Sequence, residues 1–153
     1  MSPEAIEPEP GTGERPRWEY RFDNFQRAFF LLREAIELSQ ERGLTQLERE
    51  GTIQRFEYCW ELAWKTLKDF LEYQGVVLES VTPRAVIKAG YAAGVIMDGE
   101  IWMAALDARN KMSHTYNFKV FEEVVKGIEN RYLALMDSLH EKLLGELDEK
   151  GAQ

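Results

Sequence analysis

A chain of 153 residues, 44% hydrophobic and 30% charged, has the length for one domain with a proper core and the composition of a soluble globular protein. No apolar run approaches the roughly 18 residues of a membrane helix, and one cysteine, Cys59, excludes an intramolecular disulfide, so a reducing cytoplasm is the expected location. A formal net charge of −8 argues against simple non-specific nucleic-acid binding. That charge is uneven: residues 1–19 carry −3, residues 141–153 carry −2, and the remaining −3 is spread over residues 20–140, which leaves room for a locally basic cleft.

Residues 1–17 hold four of the five prolines and show no apolar periodicity, so they read as a disordered acidic, proline-rich tail or a partner-binding peptide. The body follows at 18–147, with a short C-terminal tail at 148–153. A first helix is expected from about Tyr20 to Arg42, where Phe22, Phe25, Phe29, Leu32 and Ile36 form one stripe. Gly43 is the expected stop, in the left-handed conformation.

Thr45 with Glu48 has capping-box spacing and opens a second helix that runs to Gln74, with Gly75 as its stop. Ile53, Phe56, Cys59, Trp60, Ala63, Trp64, Leu67, Phe70 and Leu71 fill one face. Trp60 and Trp64, at i and i+4, suit a ligand cage or a core or dimer seam; the seam is the plainer reading. Glu57 and Glu61 flank the stripe and read as solvated.

Thr82-Pro83 starts a short helix that ends near Gly94. Asp98 can cap the next helix, which carries Ile101, Trp102, Ala105, Leu106 and Ala108. Asn117 can cap a long last helix whose stripe runs from Phe121 to Leu143. His140, beside Glu141, is expected on a wet face. Sustained strand alternation is absent. The expected fold is all-α: an antiparallel up-down bundle of four long helices and one short one, with aromatic surface to spare for a homodimer.

Reactive side chains gather in Arg109-Asn110-Lys111-Met112-Ser113-His114-Thr115-Tyr116. Arg109 and His114 would sit about 140° apart on a regular helix, and Arg109 and Tyr116 about 20° apart. The helix is therefore expected to loosen between Met112 and Thr115 and turn His114 back toward Arg109. An arginine fork suits a phosphate, and a histidine can move protons near neutral pH. Together they can cleave RNA without a metal: His114 as general acid or base, Arg109 stabilising phosphoryl charge, Asn110 orienting the phosphate or the imidazole. A capping histidine and an ion-paired arginine are the structural alternative. The two histidines and one cysteine make no zinc signature, and no phosphate-binding glycine loop or GxSxG is present.

Arg109-(Asn-Lys-Met-Ser)-His114-Thr-Tyr116 resembles the R-x4-H-x-Y motif of the HEPN superfamily, above all its HepT-type branch, also described as nucleotidyltransferase substrate-binding proteins. Arg55-Phe56-Glu57-Tyr58, Glu61 to Lys68, Thr82-Pro83-Arg84 and Asp98 to Trp102 are similar to that branch too, and the likeness covers roughly residues 20–145. The proline-rich tail lies outside the family pattern. The resemblance implies a dimeric bundle whose two motifs face a shared cleft, and a separately encoded minimal nucleotidyltransferase as partner. In toxin–antitoxin pairs of this kind it implies a metal-independent ribonuclease with Arg109 and His114 as the catalytic pair, and no cofactor of its own. The partner, using ATP and magnesium, would silence it by attaching AMP to Tyr116. It equally allows a non-catalytic subunit that presents substrate to the nucleotidyltransferase.

Overall fold

The structure, a computed structural model, describes residues 15–112 and 117–151. The expected N-terminal tail falls almost wholly outside them. Among the described residues every regular element is helical: α1 (Arg17–Glu41), α2 (Gln46–Tyr73), α3 (Pro83–Ala92), α4 (Gly99–Met112), α5 (Phe118–Gly127), a π turn (Ile128–Tyr132) and α6 (Leu133–Gly151).

α1 and α2 form the main helix pair. Phe22, Phe25, Phe29, Leu32 and Ile36 bury the predicted stripe of α1 against the core, and Trp18 extends it by one turn. Trp18 meets Phe70 edge-on at 5.0 Å. Each such side chain contributes about 1.5–3 kcal/mol by leaving water, so this seam dominates the stability of the bundle. α2 begins on the predicted capping box: the Glu48 N–H donates to Thr45 Oγ1 at 3.1 Å and the Thr45 N–H to Glu48 Oε1 at 2.9 Å. Arg42 clamps the same carboxylate at 2.6 and 2.8 Å. That arginine and the Thr45 N–H hold the Glu48 carboxyl down to about 2.

The end of α1 departs from expectation. The helix closes at Glu41, and Arg42 is already extended at φ −158°. Gly43 is not left-handed; among the described residues positive φ belongs to Gly75 (87°) and Gly94 (75°), the other two predicted stops. Arg42 leaves the helix to reach Glu48, so a side-chain clamp ends α1 where a glycine turn was expected.

Thr82 caps α3 by accepting from the Ala85 N–H at 3.2 Å, with Pro83 in the first turn. α3 and α4 pack on the far part of α2, where Trp102 lies 5.5 Å from Trp60. The expected last helix is one rod with a fault in it. Its backbone stays right-handed helical through Gly127, Ile128 and Leu133, but the turn between them is π. One added residue in a turn re-aims the side chains beyond it. Here the Tyr132 ring stacks on Phe56 at 5.7 Å. A Cβ on Gly127 would fall 2.7 Å from Tyr132 Cε2, so the ring occupies the space that glycine leaves. α6 stays helical to Gly151, past the boundary expected at 147, and Lys150 reaches Glu19 on α1 at 2.6 Å.

His140 corrects the sequence reading of a wet surface histidine. It is 7% exposed. Its ring lies 5.5, 5.2 and 5.4 Å from Phe22, Phe29 and Phe30, and Nε2 is 2.8 Å from Gln26 Oε1. Burial holds its pKa below the ordinary value. The aromatic edge of α1 is wide enough to take an imidazole as one more ring.

Candidate active site around Arg109

α4 delivers Arg109 and Asn110 in its last turn, where positive side chains meet the negative end of the helix dipole. Buried Met112 anchors that end to the core. The next described residue, Asn117, caps α5 by accepting from the Lys119 N–H at 2.9 Å. The expected loosening between Met112 and Thr115 falls on residues 113–116, outside the described residues. His114 and Tyr116 lie outside the described residues, and so does the expected turn of His114 toward Arg109.

Arg109 points at α2. Its Nη2 donates to Glu61 Oε1 at 2.9 Å, and Nη1 lies 3.4 Å from Asn110 Oδ1. The second Glu61 oxygen accepts from Trp64 Nε1 at 3.3 Å and sits 3.5 Å from Lys65 Nζ. The Arg109 and Glu61 side chains are each 32% exposed. An ion pair that open to water contributes about 0–1 kcal/mol. Its consequence is orientation: the fork is fixed with part of its face toward solvent, where it can exchange a carboxylate for a phosphate.

Glu57, one turn before Glu61, is half-buried on the same side of α2. Burial raises its carboxyl above the usual range, and the Arg109 charge pulls only partly against that. Sequence alone reads both glutamates as solvated, and here the structure differs. Their i,i+4 spacing beside Trp60 and Trp64 is visible in the chain, but nothing local pairs residue 61 with residue 109.

The two tryptophans do not make a cage. Trp60 is fully buried against Trp102, and Trp64 is nearly so. Cys59 is also fully buried, which pushes its thiol far above the reactive range. Among the described residues no three His, Cys, Asp or Glu side chains gather as a metal site. No described helix is long and apolar enough to cross a membrane. An apolar cleft of 590 Å³ lined by Tyr91, Met97, Ile101 and Met103 opens at the α3–α4 junction and does not include Arg109.

Residues 20–145 match a family described as nucleotidyltransferase substrate binding protein like. A relative from Haemophilus influenzae, named "Probable ribonuclease HepT", is 31% identical over 70 residues, which cover 44% of this chain and 48% of that protein. The chain thus spans about half the length of that curated relative. A crystal structure of a protein from Thermus thermophilus superposes with a TM-score of 0.64 at 30% identity, covering 80% of this chain and 98% of the other.

Proposed function

Because the chain belongs to the nucleotidyltransferase substrate-binding protein-like family, of HEPN and HepT type, we propose that it is a metal-independent ribonuclease toxin, silenced when a separately encoded minimal nucleotidyltransferase transfers AMP to Tyr116. Arg109 carries the reading: a part-exposed guanidinium, fixed by Glu61 at the helix end that opens the R-x4-H-x-Y motif. Arg109 stabilises the charge that builds on the phosphoryl oxygens, His114 transfers the proton, and Asn110 orients one of them. A nucleotide on Tyr116 adds charge and bulk where the RNA phosphate must sit. The chain acts as an antiparallel-bundle homodimer in the cytoplasm, with the two motifs across a shared cleft, and needs no cofactor of its own. ATP and magnesium serve the partner.

The test is RNA cleavage by the purified protein in the presence of a chelator. Cleavage should persist in the wild type and disappear in Arg109→Ala and His114→Ala. Full activity in both variants sinks the proposal. The net charge of −8 favours a second reading, a non-catalytic subunit that shapes the partner's substrate site. It expects no cleavage by the wild type, a stable complex, and altered nucleotidyltransferase activity.

A further inference from the structure

α4 has a second polar side. Lys111 follows Arg109 by two residues, about 200° round a regular helix, so the two cations leave α4 in opposite directions. Arg109 meets α2, whereas Lys111 borders a groove of 320 Å³ between α4, α5 and the π turn. Buried Ala108, Val124 and Tyr132 form the floor of that groove, and exposed Asp107, Lys111, Glu123 and Arg131 form its rim. We propose that the groove binds a nucleoside monophosphate, either free or as one residue of an RNA strand; the inference does not rest on the ribonuclease reading above.

The charges of the groove are unspent. Elsewhere in the bundle acids and bases pair across helices, as in Arg49–Glu122 at 3.1 Å and Arg21–Asp69 at 3.0 Å. Here two cations and two carboxylates share one groove, and none of the four forms an ion pair with a described residue. Surface pairs contribute only about 0–1 kcal/mol, so leaving them apart costs the fold little.

The π turn supplies the floor. It brings Arg131 and Tyr132 together, with Arg131 Nη2 donating to the Tyr132 hydroxyl oxygen at 3.2 Å. The Tyr132 ring is held by Phe56 and by the space beside Gly127. Tyr132 is 5% exposed, and its own O–H proton has no acceptor among the described residues. Buried hydroxyls normally spend their proton, so this one is suited to an acceptor oxygen of a ligand.

The class of ligand follows from the mixture of charges. A bare phosphate would meet Asp107 and Glu123, and a bare cation would meet Lys111 and Arg131. A ligand with one anionic end and one neutral, donor-bearing end suits all four. Ala104 and Ala108 line the groove one turn apart on α4, and Val120 and Val124 do so on α5. These small apolar side chains leave a slot for the flat face of a base. A volume of 320 Å³ lies at the lower end of those that hold small organic ligands. The phosphate then takes the Arg131 fork, Lys111 and the Tyr132 O–H, while a base amine or sugar hydroxyl donates to Asp107 and Glu123.

The experiment is isothermal titration calorimetry of the full chain with the four nucleoside monophosphates, adenosine, inorganic phosphate and a short 2′-O-methyl RNA, which has no 2′-hydroxyl to cleave. Thermal melts confirm that each variant is folded. The best-bound nucleotide should bind more tightly than adenosine or inorganic phosphate. Arg131→Gln and Tyr132→Phe should each weaken it about 10-fold or more, the loss of one hydrogen bond to a charged group. Arg109→Ala should bind it as the wild type does. Binding of a monophosphate assigns the groove to free nucleotide; binding of the RNA analogue alone, weakened in Arg131→Gln, assigns it to a residue of a strand. If Tyr132→Phe does not fold, Arg131→Gln carries the test, because Arg131 is exposed. The proposal is overturned if neither nucleotide nor RNA analogue binds, if a folded Arg131→Gln binds as the wild type does, or if inorganic phosphate binds as tightly as any nucleotide. Each of these results leaves the ribonuclease reading to its own cleavage test.

Discussion

The two sides of α2 are built to opposite rules. On one, Phe56, Cys59, Trp60, Ala63 and Leu67 are sealed from water among α1, Trp102 and Tyr132. On the other, Glu57, Glu61 and Lys65 stay part-exposed around Arg109. The sealed side contributes about 1.5–3 kcal/mol per large side chain, whereas the open ion pair contributes about 0–1 kcal/mol. So the polar side adds little to folding. Its effect is to aim one guanidinium, and the sealed side makes that aim rigid.

Breaking the sealed side should have the largest effect. Trp60→Ala removes a fully buried indole packed on Trp102 and should cost about 3–5 kcal/mol in denaturant unfolding. A loss under about 1 kcal/mol, the size of a surface change, would mean the tryptophan is not core. The open side should respond the other way round. Arg109→Ala should change stability by no more than about 1 kcal/mol, while RNA cleavage falls by about 10²–10³. Equal losses in melting and cleavage would erase the distinction between the two sides. A smaller effect belongs to the start of the rod: Thr45→Ala removes the cap and should cost about 1 kcal/mol, read by chemical denaturation.

The smallest effect is in pH. His140 is held neutral by burial, with Arg33 pushing the same way and Asp137 and Glu141 opposing. Its folded pKa lies below its unfolded value. The stability linked to it is therefore present above about pH 6.5 and is lost as pH falls through the folded value. Glu48 adds a lower window: its carboxyl is depressed to about 2, so its contribution is present above the ordinary carboxylate range and is lost as pH falls toward that value. Melting temperature should drop on mild acidification below about pH 6.5 in the wild type and drop less in His140→Leu. Identical pH curves for the two proteins would show that His140 is not the group responsible.

The helices are legible in the chain because each carries its own local signal. The α1 stripe, the Thr45–Glu48 box, the Thr82-Pro83 start and the Asn117 cap are all made by sequence neighbours. Gly43 misleads as a stop because Arg42 finds a partner across the turn, in Glu48. His140 misleads because an imidazole beside Glu141 looks wet, and its burial depends on three phenylalanines more than a hundred residues earlier. The site divides in the same way. Arg109 and Asn110 stand out in the motif, while Glu61 becomes part of it only when α2 and α4 are brought together. The π turn has no clear local signal either; it follows from fitting Tyr132 against Phe56 beside a glycine.

The most direct test of the central claim is an intact-mass spectrum of the protein, expressed alone and then with its genomic neighbour. Expressed alone, the protein should show its unmodified mass; on co-expression it should gain whole AMP units, mapped to Tyr116 and lost in Tyr116→Phe. An unchanged mass with the two proteins still co-purifying would contradict the central claim and make Arg109 a ligand contact of a substrate-binding subunit.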